Sequence, residues 1–277
     1  MNILIIDSHN MIHRVRHGFG QGEHIMTFGF FRALKSEITK HNADKVYVVN
    51  EGHPKHRYVL NPDYKGTRVR ERDDGFTRQK DDIFDLCKYL PITYIRHKDY
   101  ECDDVIGYLS KLAKPEDSVT IISTDTDFIQ LLTQENVKLW NPVKKKYIEK
   151  WPCDYVGWKS LVGDKSDNVS GIRGIGTQRA FKIMESNETL SKFLNSDEKK
   201  KEVFNNCYEQ IQLAELSKFI PGWEIESYNF DEVTIKKEFN LRGFKSITGN
   251  TWYKFKSTME KLNNGTNKYN TNEPAAG

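Results

Sequence analysis

The sequence predicts an α/β fold: a mostly parallel central sheet with helices on both faces, followed by a helical lobe. Three observations carry this reading. Short apolar runs recur at residues 2–7, 45–51, 92–95, 119–122 and 137–140, the length of ordinary strands. Stretches of helical length and spacing lie between them, as parallel pairing demands. After about residue 151 the strand signals thin out and helical ones take over.

Taken in order, residues 2–7 (NILIID) end on a carboxylate, Asp7, and pass through Ser-His-Asn into a helix carrying Arg14 and Arg16. Residues 18–24 read as a loop. Residues 26–40 place Phe30, Phe31, Leu34 and Ile38 on one helical face. The second strand, residues 45–51, closes on Glu51 and Gly52. A basic and aromatic stretch, residues 53–72, leads into a helix at 77–89, and the third strand follows at 92–95. Glu101, Asp103 and Asp104 then open a helix at 105–112. The strand at 119–122 runs through Ser-Thr-Asp-Thr-Asp into an apolar-periodic helix with Phe128, Ile129, Leu131 and Leu132. Further helices are predicted at 155–162, 178–185, 190–194 and 199–219. This divides the chain into an α/β domain (1–150), a helical lobe (151–262) and a tail (263–277) with no apolar period, expected to be disordered.

The chain has 277 residues, 37% of them hydrophobic, and a net charge of +3 from 42 basic and 39 acidic residues. A near-neutral sum of that kind hides separated patches of opposite sign. The cysteines (Cys87, Cys102, Cys153, Cys207) are widely spaced, with no CxxC and no Cys/His ligand spacing. They argue for a reducing compartment and against a zinc site. The N-terminus lacks the basic flank and the length of a signal peptide, and no run reaches the ~18 apolar residues of a membrane span. A soluble protein of the cytoplasm, with no membrane partner, is expected.

The carboxylates form a pattern. Strand ends of a parallel sheet share an edge, and ligands of open α/β sheets bind there. Asp7 and Glu51 end strands, Asp125 and Asp127 follow one, and Glu101, Asp103 and Asp104 begin a helix after another. Asp164 and Asp167 come from the later segment GDKSDN. Helix capping accounts for each acid separately, but not for the common edge. Two carboxylates ~4 Å apart repel by roughly 4 kcal/mol at an effective dielectric near 20. Hard cations such as Mg²⁺ or Mn²⁺ relieve this with oxygen ligands, and a pair of them ~3.5–4 Å apart suits in-line phosphoryl displacement.

Two further stretches point to nucleic acid. Residues 163–179 (GDKSDNVSGIRGIGTQR) fit a helix–hairpin–helix: Gly171, Gly174 and Gly176 permit tight turns, and the backbone amides before Arg179 can hold a phosphate without reading sequence. Tyr64-Lys65-Gly66-Thr67-Arg68 lies in a run with Lys55, His56, Arg57, Arg70 and Arg72, and interleaved cations and rings suit a single-strand channel. The bland readings are a glycine-rich loop and a solvated charged helix.

At this point the chain resembles the flap endonuclease/5′-nuclease family, including the phage-encoded stand-alone 5′-nucleases and the 5′-nuclease domain of bacterial DNA polymerase I. The resemblance covers about residues 3–184 and rests on ILIIDSHNMIHR, VVNEGHPKHR…PDYKGTR, YECDDVIGYL, ISTDTDFIQLL and GDKSDNVSGIRGIGTQRA, in family order. It implies a PIN-like α/β fold with a helix–three-turn–helix module. It also implies divalent-metal-dependent cleavage of phosphodiesters near 5′ ends, flaps and nicks, with RNA–DNA hybrids as further substrates. By motif match, acids among Asp7, Glu51, Glu101, Asp103 and Asp125 would hold one Mg²⁺ or Mn²⁺, and Asp104, Asp127, Asp164 and Asp167 the second. Lys65 and Arg68 would act at the scissile phosphate, Tyr64 would stack on a base, and Arg14, Arg70 and Arg179 would hold phosphates. Backbone carbonyls of residues 169–175 would bind K⁺. A monomer working with a replication protein is implied, in the host cytoplasm if the chain is phage-encoded.

One departure stands out. The family's second strand ends in a Phe-Asp-Gly-like triplet, and here the triplet is Asn50-Glu51-Gly52; Glu51 is expected to take the acidic position. Asn50 keeps open a nucleic-acid-binding module with weakened or no catalysis. A haloacid-dehalogenase-type phosphohydrolase lacks its Asp-x-Asp pair, since Asp7-Ser8-His9 stands there.

Overall fold

Every second residue of the first strand faces the opposite side of the sheet, and here both sides are apolar: Ile3 and Ile5 on one, Leu4 and Ile6 on the other, all buried. A strand of that kind belongs in the middle of a sheet covered on both faces, and that is where it lies. A computed structural model of the chain describes residues 1–18, 22–68 and 73–267. Its strands are β1 (Asn2–Asp7), β2 (Lys45–Val49), β3 (Thr93–His97), β4 (Ser118–Ile122), β5 (Val137–Asn141), β6 (Lys146–Ile148) and β7 (Trp223–Ser227). They form one sheet in the order β6-β5-β4-β1-β2-β3-β7. The inner pairs β5–β4, β4–β1, β1–β2 and β2–β3 are parallel, and the edge strands β6 and β7 pair antiparallel.

The helices of the first half are α1 (Ser8–Gly18), α2 (Ile25–Lys40), α3 (Lys55–Leu60), α4 (Asp74–Cys87) and α5 (Cys102–Leu112). In the second half they are α6 (Tyr155–Val162), α7 (Thr177–Ile183), α8 (Asn187–Asn195), α9 (Glu198–Ile211), α10 (Glu232–Leu241), α11 (Lys245–Thr248) and α12 (Trp252–Asn267). One face of the sheet packs Leu4, Ile6 and Val48 against Phe30, Phe31 and Leu34 of α2. The other packs Ile3, Ile5 and Ile121 against Val105, Ile106 and Leu109 of α5 and Phe128. Burying each such side chain contributes roughly 1.5–3 kcal/mol. A separate small core, with Leu161, Ile172, Ile175, Ile183 and Phe204, holds α6, α7 and α9 together.

Four expectations change. The helix after Asp127 is a 3-10 helix, Asp127–Thr133; buried Phe128 and Leu131, and Ile129 and Leu132, recur at the three-residue spacing that aligns side chains in that geometry. The helix predicted at 199–219 stops at Ile211, where Gln212 turns extended. Residues 151–262 are not one helical lobe. After α9 the chain returns to the sheet as β7, and Phe239, Phe255 and Met259 join Phe30 and Phe31 in the first core. β7 escaped notice because it is a largely exposed edge strand, WEIES, with no apolar run. Finally, α12 extends through Asn267, into the segment expected to be a tail; residues 268–277 lie outside the described residues.

Candidate active site

The parallel register sets the site. Asp7 pairs with Val49, Ile6 with Ile122 and Val49 with Ile95, so β1, β2, β3 and β4 end together. Gly52 completes the edge: a Cβ there would lie 1.9 Å from the His97 carbonyl oxygen and 2.3 Å from that of Tyr100. Only glycine lets the loop after β2 close onto the turn that delivers Glu101.

Asp7 is buried and held still: Ser123 Oγ donates to its Oδ2 (2.7 Å) and the Asn10 amide to its Oδ1 (2.9 Å). Cys102 Sγ lies 3.7 Å from Asp7 Oδ1 and 3.3 Å from Asp103 Oδ1. Asp7, Cys102 and Asp103 thus converge, with ligand atoms within 4.8 Å of one another. Glu51 faces the same pocket and accepts the Cys102 amide (3.3 Å). Asn50 points elsewhere, its Nδ2 donating to the Tyr94 hydroxyl (2.9 Å). Asp125 stands exposed at the rim, its carboxylate accepting the Asp127 amide two residues on (2.9 Å).

A second group brings Asp127, Asp164 and Asp167 within the same 4.8 Å. Lys159 of α6 inserts its ammonium between Asp127 and Asp164, 2.5 Å from Asp164 Oδ2. Arg68 Nη2 donates to Asp167 Oδ1 (2.6 Å). The Tyr64 hydroxyl links Glu101 to the second group, donating to Glu101 Oε2 (2.8 Å) and lying 3.1 Å from Asp167 Oδ2. Lys65, held at φ 54, donates from Nζ to Glu101 Oε1 (2.5 Å). A left-handed lysine is rare, and such conformations concentrate at functional sites.

The electrostatics call for cations. Burial pushes Asp7 up to about 6, against hydrogen bonds from Asn10 and Ser123. Burial and the charge of Glu101 push Glu51 up to about 7. Burial, then Asp125, Asp7 and Glu51, hold Asp103 well above the carboxylate range. Burial pushes Asp127 up to about 6 despite Lys159. Burial also opposes the charge on Glu101, yet Lys65 and Arg57 hold it below its ordinary value. An ammonium holds the charge on Glu101 and Asp164, but Asp127 is raised even with Lys159 beside it, and Asp7, Glu51 and Asp103, which no ammonium reaches, are pushed upward as well. A bound divalent cation removes that penalty, so the donor set fits such ions.

Several expected residues sit differently. Asp104 belongs to neither acid group; it is fully buried and accepts from Arg57 Nη2 (3.0 Å) and the Ala214 amide (2.8 Å). Arg57 is no channel cation: it is 4% exposed and also reaches Glu101 Oε2 (3.2 Å). Tyr64 is 3% exposed and offers no open face to a base. Arg14 is half-buried on α1, its Nη1 without a hydrogen-bond partner. Arg70 lies outside the described residues. In the hairpin, Gly171 (φ 64) is a packing glycine whose Cβ would lie 2.4 Å from the Gly163 nitrogen, whereas Gly174, Gly176 and Arg179 are exposed. Sequence reasoning missed Lys159 and Cys102. A lone lysine in the otherwise apolar YVGWKSLV was the available signal for the first. Cys102 lies among the acids although the cysteine spacing showed no ligand pattern.

A larger cavity, about 460 Å³, lies between the 3-10 helix and α9. Its only acid, Asp154, is spent capping α6.

Two groups of carboxylates thus lie at the carboxyl edge of a parallel sheet, with Lys65 and Arg68 beside them, in a protein of the α/β class. Residues 2–156 match the 5′-3′ exonuclease, N-terminal resolvase-like domain family, and the chain belongs to that family. It is 33% identical over 205 residues to a 5′-3′ exonuclease of Aquifex aeolicus, covering 67% of this chain and 70% of that one. It is 31% identical over 196 residues to the thermostable DNA polymerase I of Thermus filiformis, covering 66% of this chain but 23% of that protein. The chain thus spans about a quarter of the length of the polymerase relatives it matches. Among solved structures it is similar to the bacteriophage T5 D15 protein co-crystallised with metal ions, with a TM-score of 0.65 at 19% identity over 95% of this chain and 100% of that one. It is also similar to the catalytic core of Rad2 in complex with a DNA substrate, with a TM-score of 0.55 at 14% identity over 94% and 92%. These likenesses show the PIN-like fold.

Proposed function

We propose that this chain is a structure-specific 5′-nuclease, a flap endonuclease and 5′-3′ exonuclease acting on DNA with 5′ ends, flaps or nicks and on RNA–DNA hybrids during replication. The observation that carries the reading is the pair of acid groups, Asp7 with Asp103 and Asp127 with Asp164 and Asp167, the second with the Lys159 ammonium lodged among its oxygens. Asp7, Glu51, Glu101, Asp103 and Asp125 would hold one Mg²⁺ or Mn²⁺, and Asp127, Asp164 and Asp167 the other. Such ions, when bound, activate a water and stabilise the leaving oxygen.

The chain's own residues do the rest. Lys65, freed from Glu101 as that acid takes a cation, meets the charge that grows on the scissile phosphate. Arg68, next to Asp167, clamps the same phosphate, and Arg14 waits beside Asp7. The exposed hairpin turn with Gly174, Gly176 and Arg179 grips a duplex backbone without reading bases, aided by K⁺ on the carbonyls of residues 169–175. Asn50, the residue that favoured a binding module with weakened catalysis, faces Tyr94, and Glu51 supplies the acid. The chain acts as a monomer in the cytoplasm, alongside a replication protein.

The test is a 5′-labelled flap duplex incubated with the protein in Mg²⁺ and in EDTA. Cleavage in Mg²⁺ alone is expected. No Mg²⁺-dependent cleavage of flap, nicked or RNA–DNA substrates would sink the reading.

A further inference from the structure

A thiol sits inside the first acid group. Cys102 is buried, the first residue of α5, and its Sγ lies 3.3 Å from Asp103 Oδ1 and 3.7 Å from Asp7 Oδ1. Metal–sulfur bonds of ~2.3 Å and metal–oxygen bonds of ~2.0–2.2 Å put sulfur and oxygen ligands roughly 3.0–3.6 Å apart, between square and tetrahedral angles. The observed separations match a shared cation within a few tenths of an ångström. Both partners are carboxylates held in place, Asp7 by Ser123 on Oδ2 and by the Asn10 amide on the Oδ1 that faces Cys102, and Asp103 by its place in the first turn of α5. No other cysteine joins a group of three potential ligands among the described residues.

We propose that Cys102 Sγ is a direct ligand for thiophilic divalent cations of the Zn²⁺ and Cd²⁺ class, which it holds together with Asp7 and Asp103, making the first cation site selective by metal type. Hard Mg²⁺ takes oxygen donors and leaves the thiol protonated; a softer ion draws the sulfur in. On binding, the S–H bond breaks, its proton leaves to solvent, and the sulfur lone pair forms the metal–sulfur bond. No electron is exchanged. Ions of this class therefore displace Mg²⁺ from the site and stay. The inference rests on the pocket being a cation site, and the experiment separates the two.

Full-length protein and the variants Cys102→Ala and Cys102→Ser are titrated with Cd²⁺ alone, following the thiolate-to-cadmium charge-transfer band, and each is melted with and without Mg²⁺. The expected result is one equivalent of band in the parent, its loss in both variants, and Cd²⁺ binding weakened at least about tenfold, what the loss of even an outer-shell partner of a metal ligand costs. Mg²⁺ still raises the melting temperature of the variants. The serine variant keeps nearly the cysteine's volume and decides the matter if the alanine variant does not fold. A band that survives in the variants, unchanged Cd²⁺ affinity, or an Mg²⁺ response in a parent that shows no band would overturn the role of Cys102. A parent that responds to neither ion would overturn the cation site and the proposal together.

Discussion

Lys159 and Asp164 meet at 2.5 Å, and the same ammonium also reaches Asp127, so one lysine bridges two of the three acids of the second group. Burial works against the charge on Lys159, but Asp127 and Asp164 hold it well above its ordinary value. The bridge offsets the repulsion between Asp127 and Asp164, and a cation at these oxygens would have to displace the ammonium. Lys159→Ala is expected to lower the stability of the metal-free protein by about 3 kcal/mol, as when one partner of a buried pair is removed. For a chain of this size that is roughly 6–10 °C in Tm. The rise in Tm on adding Mg²⁺ should be larger in the variant than in the parent. Melts in EDTA and in Mg²⁺ check both, and equal Mg²⁺ responses would show that Lys159 does not stand in the cation's place.

Lys65 pairs with Glu101, and Asp167 and Asp103 add to the field that holds its charge. Lys65→Ala should cost turnover far more than binding, because its contact strengthens as charge develops. A loss of about 10²–10³-fold in kcat is expected, with less than about a tenfold change in flap affinity. Single-turnover cleavage and a binding isotherm measure the two. Comparable losses in both would reduce Lys65 to a phosphate anchor.

The raised carboxylates make stability depend on pH with a definite sign. Asp7 and Asp127 rise from 3.8 to about 6 and Glu51 from 4.5 to about 7. The folded state thus binds more protons than the unfolded one. Each group's stabilising effect is complete below its ordinary value and is lost as pH climbs through 6 to 7, at roughly 2–3 kcal/mol per group taken singly. In EDTA, Tm should fall between pH 5 and 8, Glu51→Gln should flatten that fall, and Mg²⁺ should restore more stability at pH 8 than at pH 5. Glu101 and Asp164, held below their ordinary values, act only at lower pH. His9, His56 and His97, held below their ordinary values by burial, work the other way as pH rises toward 6.5, so the parent–variant difference decides: a pH dependence that Glu51→Gln leaves unchanged would contradict the cluster.

The local signals explain what was legible. Strand ends and the acids that follow them are set by a period of two and by turn chemistry, so Asp7, Glu51 and Asp127 fell at one edge from the sequence alone. What a side chain faces across a domain is not local. Lys159 reaches its acids only because α6 packs beside the 3-10 helix, and Cys102 enters the pocket only because the turn after β3 closes onto Gly52. Tyr64 looked like an open ring from its basic neighbours, and it is buried because its hydroxyl is clamped between Glu101 and Asp167. β7 was invisible for a related reason: an edge strand borrows its partners from β3 and needs no apolar run of its own.

Asp103 and Asp104 show the same limit most sharply, and they can be separated by experiment. Adjacent residues on a helix point about 100° apart. Asp103 turns to Asp7 and Cys102, while Asp104 turns to Arg57, the Ala214 amide and His56. Asp104→Asn leaves the Arg57 guanidinium short of a buried counter-charge, so it should destabilise the protein by about 3 kcal/mol while the Mg²⁺-induced rise in Tm persists. Asp103→Asn removes a mutually repelling carboxylate, so in EDTA it should melt higher than the parent, respond weakly to Mg²⁺ and lose cleavage. Six melts, of the parent and both variants in EDTA and in Mg²⁺, and one cleavage assay suffice. The reverse pattern, with Asp104→Asn losing the Mg²⁺ response, would return Asp104 to the cation ligands and make the Arg57 pair a feature of the metal-free state alone.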